Sequence, residues 1–329
     1  MTLEEHMSYL LSSPTGSSCV QAAEVLEVSH NQVNRFLLQG NYTGKDLYEK
    51  AVVHLLATGG TLTVDDSVLD KPYSQLGAEL ITYLYSGKHH RPVKGIGLIS
   101  LLYTDIKGMS LPVNFRVYDK SSGRTKNDYF QEMVKEVLLW GLRPEIVTGD
   151  SWYASAANFK FLRNQELSFL FGIEKNRTSS TQAGQYQQIC TADVPVDGLY
   201  THLKEFDFVK VFQTVDKDND VKYYVYFHPD LEKRLFITRT QFEKAHQEHW
   251  LTDGEAHPLE VFHRTCKQVC NIERFFVRTT SSIKTHLFAA LRAFIRLSAL
   301  VKDPLLNSFY SLHRQLFLQA QREFILNFA

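Results

Sequence analysis

At Gly59-Gly60 the hydrophobic pattern of the chain changes period, and that change limits what it can fold into. Before it, apolar residues 22, 26, 33, 36 and 37 recur at helical spacing. After it, residues 61–64 alternate as a strand does and run into Asp65-Asp66-Ser67. Two more strands are predicted over 93–103 and 111–117, with Lys107-Gly108 turning a hairpin between them. Residues 127–142 form an amphipathic helix, with Tyr129, Phe130, Met133, Val134, Val137, Leu138 and Leu139 on one side. A strand over 144–148 ends at Gly149-Asp150, then a helix over 154–165 and a strand over 167–173 follow. Strand, hairpin, helix, strand, helix, strand is the order of an α/β core.

The remaining segments attach to that core. Residues 1–57 read as a helical, helix-turn-helix-like domain, with Ser29 as N-cap of its second short helix. Residues 58–175 are the first part of the core. Residues 176–255 read as a β-rich insertion, with strands near 206–215, 222–227 and 234–238. From Pro258 everything reads as helical: 256–305 return to the core and 306–329 form a C-terminal helical tail.

Charge refines the picture. Lys+Arg and Asp+Glu are both 36 among the 329 residues, so the formal net charge is zero. The balance is uneven, however. Residues 256–329 hold ten Lys and Arg against four Asp and Glu, whereas residues 1–50 hold three against six. Phosphate contacts need cations, so DNA binding is expected of the C-terminal block more than of the N-terminal helices. No apolar run is long enough to span a membrane, and the N-terminus has no signal-peptide pattern. Four cysteines, at 19, 190, 266 and 270, are too few for a disulfide scaffold. A cytoplasmic, nucleoid-associated bacterial protein without membrane contact is the expectation.

Three carboxylates carry the chemistry. Asp65, with Asp66 beside it, and Asp150 stand at the C-terminal ends of core strands, where sites of open α/β sheets collect. Glu273 is placed on the late basic helix, at the edge of a stripe made by Ile272, Phe275, Phe276 and Ile283. A carboxylate beside an apolar face is costly unless paired or bound to metal. Two strand ends and a helix bringing acids together make an oxygen-rich site for Mg²⁺ or Mn²⁺. His263, Cys266 and Cys270 share a helical spacing that could seat zinc, without an evident fourth ligand. Trp152 and Tyr153, directly after Asp150, read either as base-stacking rings or as core.

These residues resemble the DDE transposases of bacterial insertion sequences, specifically the large insertion-sequence-four-like group. The matching stretches are Leu62-Thr63-Val64-Asp65-Asp66-Ser67 with Lys71-Pro72-Tyr73, then Val93-Lys94-Gly95 and Leu111-Pro112-Val113. Val147-Thr148-Gly149-Asp150-Ser151-Trp152-Tyr153-Ala154-Ser155 and Ile272-Glu273-Arg274-Phe275 complete the set. The resemblance implies an RNase H-like mixed sheet flanked by helices, with Asp65 (or Asp66), Asp150 and Glu273 as catalytic ligands of Mg²⁺ or Mn²⁺. It implies double-stranded DNA as partner, at the element ends and the target, and a homodimer in that complex. The family pattern has a Tyr seven before its Glu, an Arg four before and a Lys seven after; around Glu273 those positions hold Cys266, Val269 and Thr280. Lys267, Arg274, Arg278 and Lys284 are expected to hold phosphates instead. An inactive DNA-binding remnant and an RNase H-like nuclease without strand transfer are the alternative readings.

Overall fold

The computed structural model describes all residues except 14–17, 75–79, 88, 183, 217, 251–257, 302–308 and 329. Four helices open the chain: α1 (Leu3–Ser12), α2 (Cys19–Val25), α3 (His30–Gln39) and α4 (Gly44–Ala51). Ser29 caps α3 as expected, accepting from Gln32 N at 3.2 Å while its own N–H donates to the Gln32 side chain at 2.8 Å.

The core then alternates β1 (Thr61–Asp70), β2 (Thr82–Ser86), β3 (Arg91–Thr104), β4 (Ser110–Tyr118), α5 (Lys126–Leu139), β5 (Ile146–Gly149), α6 (Ala156–Asn164) and β6 (Ser168–Ile173). Strand β1 pairs antiparallel with β3 and parallel with β5, and β5 pairs parallel with β6. β4 lies antiparallel on β3. The result is a mixed α/β sheet flanked by helices, in the order β4-β3-β1-β5-β6 through its centre. Strand β2, which the sequence pattern did not mark, adds to β3 at the sheet's edge.

The insertion adds β7 (Thr178–Ser180), β8 (Gln187–Gln188), β9 (Leu199–Leu203), β10 (Phe208–Val215) and β11 (Val221–Phe227), and β11 pairs with β6 so that one sheet continues. The expected strand over 234–238 is not one: α7 (Leu231–Phe236) covers most of it. Asp230 explains the difference, because its carboxylate accepts from Glu232 N at 2.9 Å and starts a helix. Helix α8 (Arg239–Trp250) follows, so the insertion is β-rich only in its first part. Then come α9 (Pro258–Gln268), α10 (Thr280–Val301) and α11 (Phe309–Phe328). The boundaries expected at 255/256 and 305/306 lie outside the described residues.

Residues 269–279 correct a second expectation, since they are not helical. Asn271 takes a left-handed φ of 54°, which stops α9, as Asn commonly does beyond a helix end. Its amide donates to the carbonyls of Leu10 at 2.6 Å and Ser13 at 2.9 Å, tying the turn to α1. Helix α10 is buried along most of its length and packs on α1, α3 and α4. Among the described residues no helix is long and apolar enough to cross a membrane.

Candidate active site

Register builds the site. Val64 pairs with Gly149 as the last rung between β1 and β5, so the next residues, Asp65 and Asp150, stand side by side. Only β5 ends there, because β1 runs on to Asp70 against β3, so Asp65 is not at the strand end the sequence suggested. The close approach requires a glycine. A Cβ on residue 149 would come within 2.6 Å of Val64 Cγ1 and 2.7 Å of Phe171 Cε1. Asp150 Oδ1 accepts from Trp152 N at 3.1 Å, which turns the chain out of the strand.

Asp65, Asp66, Asp150 and Glu260 all line one cavity of about 1320 Å³. Glu260 lies in the first turn of α9, and His263 and Lys267 follow at three and seven residues on the same helical face; both also line the cavity. His263 Nε2 stands 2.9 Å from Asp65 Oδ2. Lys126, in the first turn of α5, places its Nζ 2.6 Å from Asp66 Oδ2, and the buried Tyr153 hydroxyl donates to Asp66 Oδ1 at 3.2 Å.

The electrostatics follow. Burial, then the charges of Asp65 and Asp66, push Asp150 up to about 7, against the opposing N–H groups of Trp152 and Tyr153. Burial and the same carboxylates push the Tyr153 phenol far up, so it stays a neutral donor. Three carboxylates, Asp65, Asp66 and Asp150, thus crowd together, with Lys126 paired to Asp66.

Glu273 does not line this cavity. It sits in the turn beyond α9, with its carboxylate 2.6 Å from Lys267 Nζ. The turn is anchored by the buried Lys71, whose Nζ donates to the carbonyls of Glu273 at 2.6 Å and Phe275 at 2.9 Å. Burial lowers Lys71 to about 8, and Glu273 opposes the shift. The expected helix at Glu273 is therefore a turn, and its carboxylate reaches the cavity wall only through Lys267. The apolar stripe around it is explained by this turn packing into the core, where Ile272, Phe275 and Ile283 are buried.

Of the four expected phosphate-holding residues, only Lys267 lines the cavity; it also donates to Val68 O at 3.2 Å. Arg274 and Arg278 are exposed in the turn region, and Lys284 is exposed on α10, where it helps hold Asp119 low. The zinc arrangement does not form. Cys266 and Cys270 point into the core while His263 faces Asp65. All four cysteines are free thiols. Trp152 and Tyr153 separate: Tyr153 is fully buried and Trp152 is 63% exposed. The sequence pattern did not mark Glu260, His263 beside Asp65, or Lys126 as lining this cavity. The i, i+3, i+7 spacing of Glu260, His263 and Lys267 behind Pro258 was the available signal.

Carboxylates in register on adjacent parallel strands of a mixed, helix-flanked sheet, lining one cavity, make an acidic candidate site. The transposase DDE domain family matches residues 106–295, more than half of the chain, and the chain belongs to that family of DNA-cleaving and strand-transferring enzymes. No curated protein matches it in sequence. Among solved structures it is similar to piggyBac transposase in a synaptic complex with hairpin DNA. That similarity has 13% identity and a TM-score of 0.53 over 96% of this chain and 69% of that one. Weaker similarities are to the Drosophila P element transposase strand transfer complex and to the Mos1 transposase paired-end complex with the left transposon end. The first has 10% identity and a TM-score of 0.28 over 57% and 47% of the two chains. The second has 14% identity and a TM-score of 0.21 over 51% and 58%.

Proposed function

We propose that this chain is the transposase of a bacterial insertion sequence of the insertion-sequence-four-like group, with Asp65, Asp150 and Glu260 as its acidic triad. The carrying observation is the Val64–Gly149 rung, which sets Asp65 beside Asp150 in a cavity that Glu260 also lines. Asp65 is favoured over Asp66 because it faces α9, the helix of Glu260, whereas Asp66 is held by Lys126 and Tyr153. Glu260 is favoured over Glu273 for a second reason. The Lys that the family pattern carries seven residues after its Glu falls on Lys267, although the Tyr and Arg positions hold Asp253 and Ala256.

The donor set suits Mg²⁺ or Mn²⁺, being oxygen-only and crowded enough to lift Asp150 to about 7. Among the described residues, no three His, Cys, Asp or Glu side chains converge as they stand to hold an ion. Asp65 is turned to His263 and would have to exchange that partner. When bound, divalent ions supply an activated attacking oxygen and offset charge on the leaving oxygen. The protein's own part is positional. Trp152 N–H orients Asp150, Tyr153 and Lys126 hold Asp66, and Lys267 presents a cation where a phosphate enters.

In this reading the chain acts in the bacterial cytoplasm on double-stranded element ends and target, as a homodimer. The test is a reaction on duplexes copied from the DNA flanking the gene, with Mg²⁺ and a target plasmid. Nicked ends and joined products support transposition. Nicking without joining favours the nuclease reading, and binding without nicking the remnant.

A further inference from the structure

Helix α9 carries Glu260, and it meets its two neighbours in different ways. Its apolar residues Phe262 and Cys266 are buried, and the Phe262 ring meets Phe294 of α10 edge-on at 5.1 Å. Toward β1 it presents polar groups: His263 Nε2 lies 2.9 Å from Asp65 Oδ2, and Lys267 Nζ donates to Val68 O at 3.2 Å. Apolar burial is non-directional, so the placement of Glu260 relative to Asp65 depends on polar ties of this kind.

A further tie comes from the strand side. Lys71 follows directly on β1, and its N–H donates to Lys94 O of β3 at 2.9 Å. The residue is only 8% exposed, and its Nζ lies 3.4 Å from the centre of the Phe275 ring while donating to the carbonyls of Glu273 and Phe275. The turn it grips is joined to the end of α9. Ile272 N–H returns to Cys266 O at 3.0 Å, and the Glu273 carboxylate meets Lys267 Nζ at 2.6 Å. Burying an ammonium is costly, and an apolar residue would fill the same space without that cost. What the ammonium adds is direction: two carbonyls and one ring face fix where the turn lies. We propose that Lys71 is a positioning residue of the acidic triad: by gripping the turn beyond α9 it fixes that helix on β1, and so sets where Glu260 stands relative to Asp65. The proposal rests on Glu260 being the third acid, as read above, and adds the residue that holds it in place.

The test compares the full chain with Lys71→Met, which keeps the length and apolar stem but has no donor. Val137→Ala, a cavity variant on the buried face of α5, serves as a control that loses stability without touching α9. Two readouts are taken at a temperature where the variants remain folded. The first is amide hydrogen exchange without metal or DNA. Residues 261–268 should exchange about tenfold faster in Lys71→Met, with β5 as in the wild type. The second is the Mn²⁺ concentration that gives half-maximal nicking of an end duplex. It should rise about tenfold, the scale on which a supporting residue acts on a metal site. Lys71→Gln, which keeps a donor, should fall between, and it decides the question if Lys71→Met does not fold. Val137→Ala should match the wild type in both readouts. Wild-type behaviour of Lys71→Met in either readout overturns the proposal and leaves the triad standing. So do changes in Val137→Ala as large as those in Lys71→Met, which would make Lys71 a stabilising residue only. A Glu260→Gln variant that nicks like the wild type overturns the triad and the proposal together.

Discussion

Asp65 and Asp150 stand one residue beyond the same rung of the neighbouring parallel strands β1 and β5, Val64 opposite Gly149. Their proximity is therefore a consequence of sheet register, and register shifts in a strand move every side chain to the other face. The site is as well defined as the strand pairing beneath it.

That dependence makes Gly149 a sensitive position. In Gly149→Ala the new methyl meets Val64 and Phe171 at 2.6–2.7 Å, and β5 must move. The variant should lose about 1–3 kcal/mol in urea unfolding, the usual cost of overpacking. Its nicking rate should fall further than its stability explains at temperatures where it remains folded.

Asp150→Asn should stop nicking while sparing duplex affinity, because phosphate contacts come from cations elsewhere. The same variant should be more stable than wild type without metal above pH 7. The sign follows from Asp150 at about 7 in the folded chain, above its ordinary value of 3.8. The folded state holds the proton more tightly across that window, so stability falls as pH rises through it. Asn has no such loss. Thermal melts in EDTA at pH 5 and pH 8 check this: the gain should be larger at pH 8.

A second pH effect lies far from the site, between α1 and α10. Burial lowers His6 to about 4, its ring nitrogens lack partners among the described residues, and the equally buried His286 stands 5.8 Å away. Here the unfolded state takes up a proton near 6.5 and the folded state does not, so stability is lost as pH falls from about 6.5 towards 4. His6→Leu should flatten the melting-temperature profile in that range, while a profile as steep as wild type's would assign acid sensitivity to other groups.

Much of this was legible in the sequence. Hydrophobic periodicity and turn residues marked seven of the eight core elements, all but β2, and Asp150 stands at a strand end as expected, whereas β1 runs five residues past Asp65, to Asp70. The helix expected around Glu273 was misread for a local reason. Asn271 breaks the helix that the apolar residues 269, 272, 275 and 276 suggested, and a left-handed Asn leaves no mark in hydrophobic periodicity. Glu273 then becomes a turn residue held by Lys71 and Lys267. Strand β2 was missed because its exposed Tyr83 and Tyr85 break the expectation that aromatic residues face inward. The helix at Leu231–Phe236 hid behind residues that also suit a strand, and its start depends on one capping aspartate.

The choice between Glu260 and Glu273 bears most directly on the account. Single-turnover nicking of an end duplex with Mn²⁺ should be measured for Glu260→Gln and Glu273→Gln beside the wild type. The account predicts a loss on the order of a thousandfold for Glu260→Gln, since a metal-holding carboxylate stabilises the transition state by several kcal/mol. Glu273→Gln removes only an ion pair to Lys267 and should stay within about tenfold of wild type. Wild-type nicking by Glu260→Gln together with a dead Glu273→Gln would contradict it.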